Sequence, residues 1–267
     1  MPVDEIALAL DIAAIRVEPF DGFEGMLLTD TVRSRGGILA NNTRGHQRAR
    51  FTIGHELGHF LLERHRLSDE KGFRCRAQDI RETREGRPTL TSLSRQEAEA
   101  NRFDIELLAP PHLVASSLRK DPDLRVARDL ARALDLSLET SLRRYVDLHH
   151  QPLAAVWSKA GIVQTFARSV RFPWLAVTKG DPLRPASRAD RVTRSNQSGI
   201  TDMRETQSPA WLGRTDVELF EQTRIGKDGH AVTLLWVTLY DDEAEVEGAA
   251  PAPWERETLP FGPPGRS

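Results

Sequence analysis

Cysteine is almost absent from this sequence, and neither sign of charge is in excess. Its 267 residues contain a single cysteine, Cys75, which excludes an intramolecular disulfide framework and favours a reducing compartment. Lys and Arg number 37 against 39 Asp and Glu, so nothing indicates a nucleic-acid surface or a polybasic membrane patch. The first residues, MPVDEIALALDIAAIRVEPF, lack the basic n-region of a secretory signal peptide. No apolar run approaches the roughly 18–20 residues that a membrane span needs. We therefore expect a cytoplasmic protein without a membrane association.

Apolar periodicity predicts an α+β fold, in which residues 1–112 form the first domain. This domain is predicted to contain a small antiparallel sheet packed with helices. The predicted helices cover residues 4–14, 49–64 and 95–108, and the predicted strands cover 15–17, 25–29 and 37–40. The polar segment 66–92 is predicted to be a long loop.

Three further parts are predicted after the first domain. Residues 113–150 contain a helix pair that resembles a helix-turn-helix, with a break near Leu136 and Ser137 as the N-cap of the second helix. Residues 151–245 carry strand patterns such as LAAVWS, GIVQTFA and AVTLLWVTLY, which predict a β-rich domain. Residues 246–267 are rich in Pro and Gly and are predicted to be a poorly ordered tail.

The stretch FTIGHELGHFLL carries the clearest chemical signal. His55 and His59 are four residues apart, so on a helix both imidazoles face the same side and can bind one metal ion. Glu56 follows the first histidine directly, as in the HExxH arrangement of two zinc ligands and a general base. The alternative is a surface helix with two solvated histidines. The apolar flanks, with Phe51 and Leu57, favour a buried helix instead.

A catalytic zinc ion needs a third protein ligand and an open position for water. The segment SRQEAEANRFDIELLAPP offers Glu97 and Glu99, which point about 200° apart on a helix, so only one can face the metal. Asn101 lies on the same face as Glu97 and could orient a ligand histidine. We predict Glu97 as the third ligand and keep Glu99 as the alternative.

The run GGILANN…RARFTIGHELGHFLL…QEAEANRFDIELLAPP resembles the ImmA/IrrE family of metallopeptidases, small bacterial zincins. The resemblance implies a minimal zincin-like domain with His55, His59 and Glu97 as metal ligands and Glu56 as catalytic base. It departs from the family pattern at three positions. Gly54 stands where Ala is common, Asp104 where Ala is usual, and Ala109 where Met is frequent.

The resemblance also implies a function. A member of this family would be a zinc-dependent endopeptidase, with Mn²⁺ as another candidate ion. Its substrate would be a helix-turn-helix transcriptional repressor, and cleavage would derepress stress-response or mobile-element genes. A hypothesis of a different class remains: a non-catalytic, metal-stabilised regulator that binds a repressor or senses a ligand. The substrate's identity and the oligomeric state stay open.

Other residues near the motif have weaker signals. Arg50, His65 and His112 are conceivable oxyanion donors, but the sequence singles out none of them. We expect Arg50 to make a structural contact and His65 to be a solvated residue at a helix end. The glycine-led strand 36–40 is predicted to be an edge strand to which an extended substrate could add.

Direct DNA binding is not expected. The second helix of the 123–148 pair carries Arg143 and Arg144 but no surrounding basic patch, which a recognition helix would need. We therefore expect the pair to serve in packing and in substrate docking.

Overall fold

The computed structural model describes residues 1–62, 65, 72–75, 92–195 and 198–238. It is an α+β structure with two sheets, as predicted. The elements up to residue 148 are α1 (Val3–Ala9), β1 (Ile12–Glu18), β2 (Gly25–Thr29), β3 (Gly36–Asn41), α2 (His46–Leu61), β4 (Gly72–Cys75), α3 (Ser92–Leu108), α4 (Pro111–Leu118), α5 (Leu124–Leu134) and α6 (Leu138–Leu148).

The first sheet has the strand order β1-β3-β2-β4. β2 runs antiparallel to β3 and β4, whereas β1 runs parallel to β3. The prediction of a purely antiparallel sheet is therefore wrong at β1. Because β2 reverses the chain between them, β1 and β3 point the same way when they pair. β3 is paired on both sides, so the prediction of an edge strand over residues 36–40 is also wrong. Within the described residues, the edges of this sheet are β1 and β4.

Two other predicted boundaries move. The helix predicted over 4–14 ends at Ala9, since Asp11 takes a left-handed conformation (φ 64°) and the buried Ile12 begins β1. The loop predicted over 66–92 is interrupted by β4, which pairs with β2, and α3 begins at Ser92. Residues 66–71 and 76–91 lie outside the described residues.

Helices α2 and α3 pack closely, and Gly58 makes this approach possible. A Cβ atom at Gly58 would lie 3.2 Å from Ala100 Cα and 3.1 Å from Phe103 Cδ1. α2 is buried along nearly its whole length, from Ala49 to Phe60. Its two flanking layers, the first sheet and α3, therefore enclose the HExxH segment and hold its side chains in one arrangement.

Helices α5 and α6 form the predicted helix pair, and Ser137 is the predicted N-cap, accepting a hydrogen bond from Thr140 N. α6 is buried against its neighbours through Leu142, Tyr145 and Val146. Both arginines of α6 are used in internal contacts. The guanidinium of Arg143 lies 4.6 Å from the centre of the Trp157 ring, and that of Arg144 donates to Glu106 and to Ala109 O.

The second half is β-rich, as predicted, and forms one antiparallel sheet. Its order is β6-β5-β10-β9-β7, with β8 also paired to β9. These elements are β5 (Leu153–Lys159), β6 (Ile162–Arg168), α7 (Arg188–Arg194), β7 (Gly199–Ile200), β8 (Arg204–Thr206), β9 (Leu219–Ile225) and β10 (His230–Val237). Helix α7 and the strands β7, β8 and β9 were not predicted.

One face of this sheet packs against α5 and α6, and the other covers a core that includes Phe172 and Trp211. Glu221 on β9 is fully buried in that core region and accepts hydrogen bonds from Arg188 N and Trp211 Nε1. It thereby links the start of α7 to the sheet. The domain boundaries at 112/113 and 150/151 stay predictions, and the predicted tail, 246–267, lies outside the described residues.

Candidate metal centre

Three side chains from two helices converge at one point. On α2, His55 Nε2 and His59 Nε2 are 3.1 Å apart. Glu97 reaches them from α3, with Oε2 3.2 Å from His55 Nε2 and Oε1 3.4 Å from His59 Nε2. The two imidazoles are fully buried, while the Glu97 side chain keeps 16% exposure. The structure thus brings together the three residues that the sequence proposed as metal ligands.

The outer nitrogens of both imidazoles have partners. His55 Nδ1 lies 3.1 Å from Asn101 Oδ1, which accepts its proton, so the predicted contact between Asn101 and a ligand-candidate histidine is present. His59 Nδ1 lies 2.9 Å from His65 Nδ1, and His65 Nε2 lies 2.9 Å from Glu99 Oε2. Each inward-facing Nε2 is therefore backed by a hydrogen bond at the far side of its ring.

Burial and charge set the protonation of this cluster. Burial lowers the pKa of His59 to about 4, against the opposing effect of its hydrogen bond to Glu97. Burial by itself raises the pKa of Glu97, but hydrogen bonds from His55 and His59 outweigh it and bring that pKa well below its usual range. Near neutral pH the cluster consists of a neutral imidazole beside an ionised carboxylate, which is the form that metal ions bind.

The donor set fits a divalent metal ion. The two Nε2 atoms and the Glu97 oxygens lie 3.1–3.4 Å apart and face one point. An imidazole that carries its proton on Nδ1 offers its Nε2 lone pair to a metal ion, so these atoms would hold a cation at that point. Two histidines and a glutamate also match the ligand set of catalytic zinc sites that keep a fourth position for water.

Glu56 follows His55 directly in the chain and is fully buried. β2 passes very close to it: a Cβ atom at Gly25 would lie 2.3 Å from Glu56 Oε1 and 2.4 Å from Thr52 Cγ2. Only glycine fits at this position without displacing the glutamate. The β2–α2 contact therefore sets where the Glu56 carboxylate can lie.

The two departures from the family pattern at 54 and 104 are partners in space. A Cβ atom at Gly54 would lie 1.8 Å from Asp104 Oδ1, and Asp104 is fully buried. The aspartate side chain therefore occupies the space that an alanine methyl group would fill. Asp104 does not disturb the packing of the two helices, because Gly54 makes room for it.

His65 is the residue that the sequence interpretation placed wrongly. It was expected to be solvated at a helix end, but it is 2% exposed and contacts His59. Glu99 was expected on a face turned well away from the site, yet it reaches the site through His65. Arg33, with φ 52°, donates to Leu62 O at 2.6 Å and to His65 O, which brings the chain after α2 back toward the cluster.

No spacing rule could have found this arrangement, since His65 follows the end of α2 and its position depends on the contact with Arg33. Arg50 makes the structural contact that was expected, donating to Leu134 O, Asp135 O and Met1 O. His112 is exposed on α4. The oxyanion donor stays unassigned.

The fold and the site together define a zincin-like centre, in which an HExxH helix meets a carboxylate from a second helix. Residues 12–145 match the family described as the IrrE N-terminal-like domain, Peptidase M78. Because this match covers half of the chain, the protein belongs to that family, the ImmA/IrrE metallopeptidases.

Among solved structures, a Mycobacterium tuberculosis transcriptional regulator is similar in fold, with a TM-score of 0.54 and 12% sequence identity. The alignment covers 91% of this chain and 72% of that chain. At this identity the likeness shows the fold alone. None of the curated proteins compared matches the chain. Within the described residues, no helix is long and apolar enough to cross a membrane.

Proposed function

We propose that this protein is a zinc-dependent endopeptidase that hydrolyses a peptide bond in a protein substrate. The observation that carries the proposal is the convergence of His55 Nε2, His59 Nε2 and a Glu97 oxygen within 3.1–3.4 Å, directly beside Glu56 in the chain. Membership of a peptidase family supports the same reaction class. Mn²⁺ is a second candidate ion, since the carboxylate of Glu97 is a ligand that suits it.

The roles of the residues follow from their chemistry. His55, His59 and Glu97 would hold the ion, which supplies a Lewis acid and an acidified water when bound. Glu56 would accept the proton of the attacking water at a carboxylate oxygen and then deliver it to the leaving amine. Its buried position against Gly25 keeps the carboxylate in one place for both transfers.

The substrate proposal is a helix-turn-helix repressor, whose cleavage would derepress stress-response or mobile-element genes, in the cytoplasm. Among the described strands, β4 lies at the edge of the first sheet beside β2, and its Cys75 is paired with Gly25, which lies close to Glu56. An extended substrate segment that adds to β4 would therefore run past the base. We therefore propose β4 as the docking strand, in place of the strand expected over residues 36–40.

The test of catalysis is the Glu56→Gln variant, incubated with a candidate repressor from the neighbouring gene. Zinc content should stay as in the parent, because Glu56 is not a ligand, while cleavage falls to background. Glu5→Gln, an exposed glutamate on α1, is the matched control and should cleave as the parent does. Cleavage by Glu56→Gln at the parental rate would show that the assigned base is wrong.

The second candidate function is a non-catalytic regulator that grips a repressor. The mycobacterial neighbour is named a transcriptional regulator, which is the reason to keep this alternative. Co-expression with the repressor separates the two: a defined fragment supports the peptidase, and a stable uncut complex supports the regulator.

Direct DNA binding by the helix pair is not part of either proposal. Arg143 and Arg144 on α6 are engaged with Trp157 and Glu106, and α6 is packed against β5. A recognition helix would need these side chains exposed toward the major groove.

A further inference from the structure

We propose that His65 and Glu99 are positioning residues that hold His59 in the tautomer whose Nε2 lone pair faces the metal. The inference rests on the metal centre proposed above and assigns two residues to it that are not ligands. They form a chain with His59, Glu99–His65–His59, that runs away from the ion through three side chains.

With His65 neutral, the hydrogen bonds from Glu99 through His65 to His59 fit one assignment of protons. Glu99 Oε2 is an acceptor, so the nitrogen 2.9 Å away, His65 Nε2, carries a proton. In a neutral imidazole that donates from Nε2, the other nitrogen, Nδ1, is an acceptor. His59 Nδ1 lies 2.9 Å from that acceptor and must donate. The proton of His59 is then at Nδ1, and its Nε2 lone pair faces His55 and Glu97.

The opposite direction would disable the site. If His65 donated from Nδ1 to His59, the proton of His59 would move to Nε2, the atom that faces His55 and Glu97. The Nε2 atom of a neutral His65 would then present a lone pair to the Glu99 carboxylate at 2.9 Å, which is repulsive. Glu99 therefore selects the metal-binding tautomer of His59, and it does so through His65.

The two ligand histidines are supported unequally. His55 relies on one neutral amide, Asn101, whereas His59 is backed by an imidazole that is itself paired with a carboxylate. A carboxylate behind a ligand imidazole raises its basicity and fixes the ring orientation. Arg33 completes the support, since its guanidinium donates to His65 O and to Leu62 O.

Zinc affinity of the 267-residue chain, measured by competition with a chromophoric chelator, is the first test. His65→Phe removes the hydrogen bonds to His59 and to Glu99 and should weaken zinc binding by about 10–100-fold. His65→Asn should recover most of that loss, because its Oδ1 can take the place of Nδ1 as acceptor for His59. Glu99→Gln should bind more tightly than Glu99→Ala, since the amide oxygen can still accept from His65.

His46→Phe is the matched control for removal of a histidine, because His46 is exposed at the start of α2 and its ring contacts the surface residue Asp135. It should bind zinc as the parent does. His55→Ala controls for the metal centre itself and should lose zinc almost completely. If His55→Ala binds zinc like the parent, the proposed metal centre is wrong. If His55→Ala loses zinc while His65→Phe and Glu99→Ala stay within twofold of the parent, only the positioning role is wrong.

A spectroscopic test needs no variant and so does not depend on the folding of His65→Phe. In zinc-loaded protein labelled with ¹⁵N-histidine, the N–H···N hydrogen bond should produce a scalar coupling between His59 Nδ1 and His65 Nδ1. The proton should be attached to His59, and its exchange with water should be slow. A proton attached to His65 Nδ1, or the absence of coupling in the zinc-loaded parent, would overturn the proposal.

Discussion

Gly54→Ala should destabilise this protein, although alanine is the better helix former. The added Cβ atom would lie 1.8 Å from Asp104 Oδ1 and 2.9 Å from Asp104 Cγ, where carbon contacts are normally about 3.5–4.0 Å. Asp104 is fully buried, so its carboxylate has no open solvent into which it could move. Either the aspartate takes a strained rotamer or α2 and α3 separate.

The magnitude follows from two opposing effects. Replacing an interior helical glycine by alanine stabilises by about 1 kcal/mol. Overpacking a buried interface costs about 1–3 kcal/mol, and a contact this short belongs near the upper limit. The net effect of Gly54→Ala should therefore be a loss of about 2 kcal/mol. In the Asp104→Ala background the clash is gone, and the same change should stabilise by about 1 kcal/mol.

Urea unfolding of the four proteins in this cycle, each with zinc and with a chelator, gives the coupling free energy between the two sites. We expect about 3 kcal/mol, which is large for a pair but consistent with direct contact. The double variant restores the alanine pair that is usual in the ImmA/IrrE family. The placement of Asp104 against α2 would be refuted by either of two results. One is that Gly54→Ala stabilises the parent protein, in which Asp104 is retained. The other is a coupling free energy below about 0.5 kcal/mol.

Three shorter predictions address the base, the second sheet and the pH dependence. Gly25→Ala should reduce peptide hydrolysis without loss of zinc, because the added methyl group displaces Glu56. Gly37→Ala is the control: its Cβ atom would meet nothing closer than 3.9 Å, so the rate of hydrolysis should stay unchanged. Glu221→Ala should cost about 3 kcal/mol or more of unfolding free energy, since it leaves buried donors without their acceptor, while zinc affinity measured by chelator competition stays parental. Burial lowers the pKa of His149, so the unfolded chain binds this proton at higher pH than the folded one, and stability should fall as pH drops below about 6.5. Substitution by Gln should flatten that part of the stability profile, and an unchanged slope between pH 7 and 5 would contradict the assignment.

Local features of this protein could be predicted from the sequence. The four-residue spacing of His55 and His59 places them on one helical face whatever surrounds the helix. The 200° separation of Glu97 and Glu99 likewise follows from helix geometry, and the former is the one that reaches both imidazoles. The N-cap at Ser137 depends only on the residue itself and on the backbone that follows it.

Contacts between distant segments were decided by the tertiary structure. The sequence determined that a helix carries a HExxH motif, but the parallel pairing of β1 with β3 depends on which strand is inserted between the others. His65 became part of the site because Arg33, 32 residues earlier in the chain, binds its carbonyl oxygen. Gly54 and Asp104 read separately as two departures from a pattern, and only the packing of α2 on α3 makes them one compensated pair. Spacing along a helix is set by the regular backbone, whereas these contacts depend on how separate elements fill a shared space.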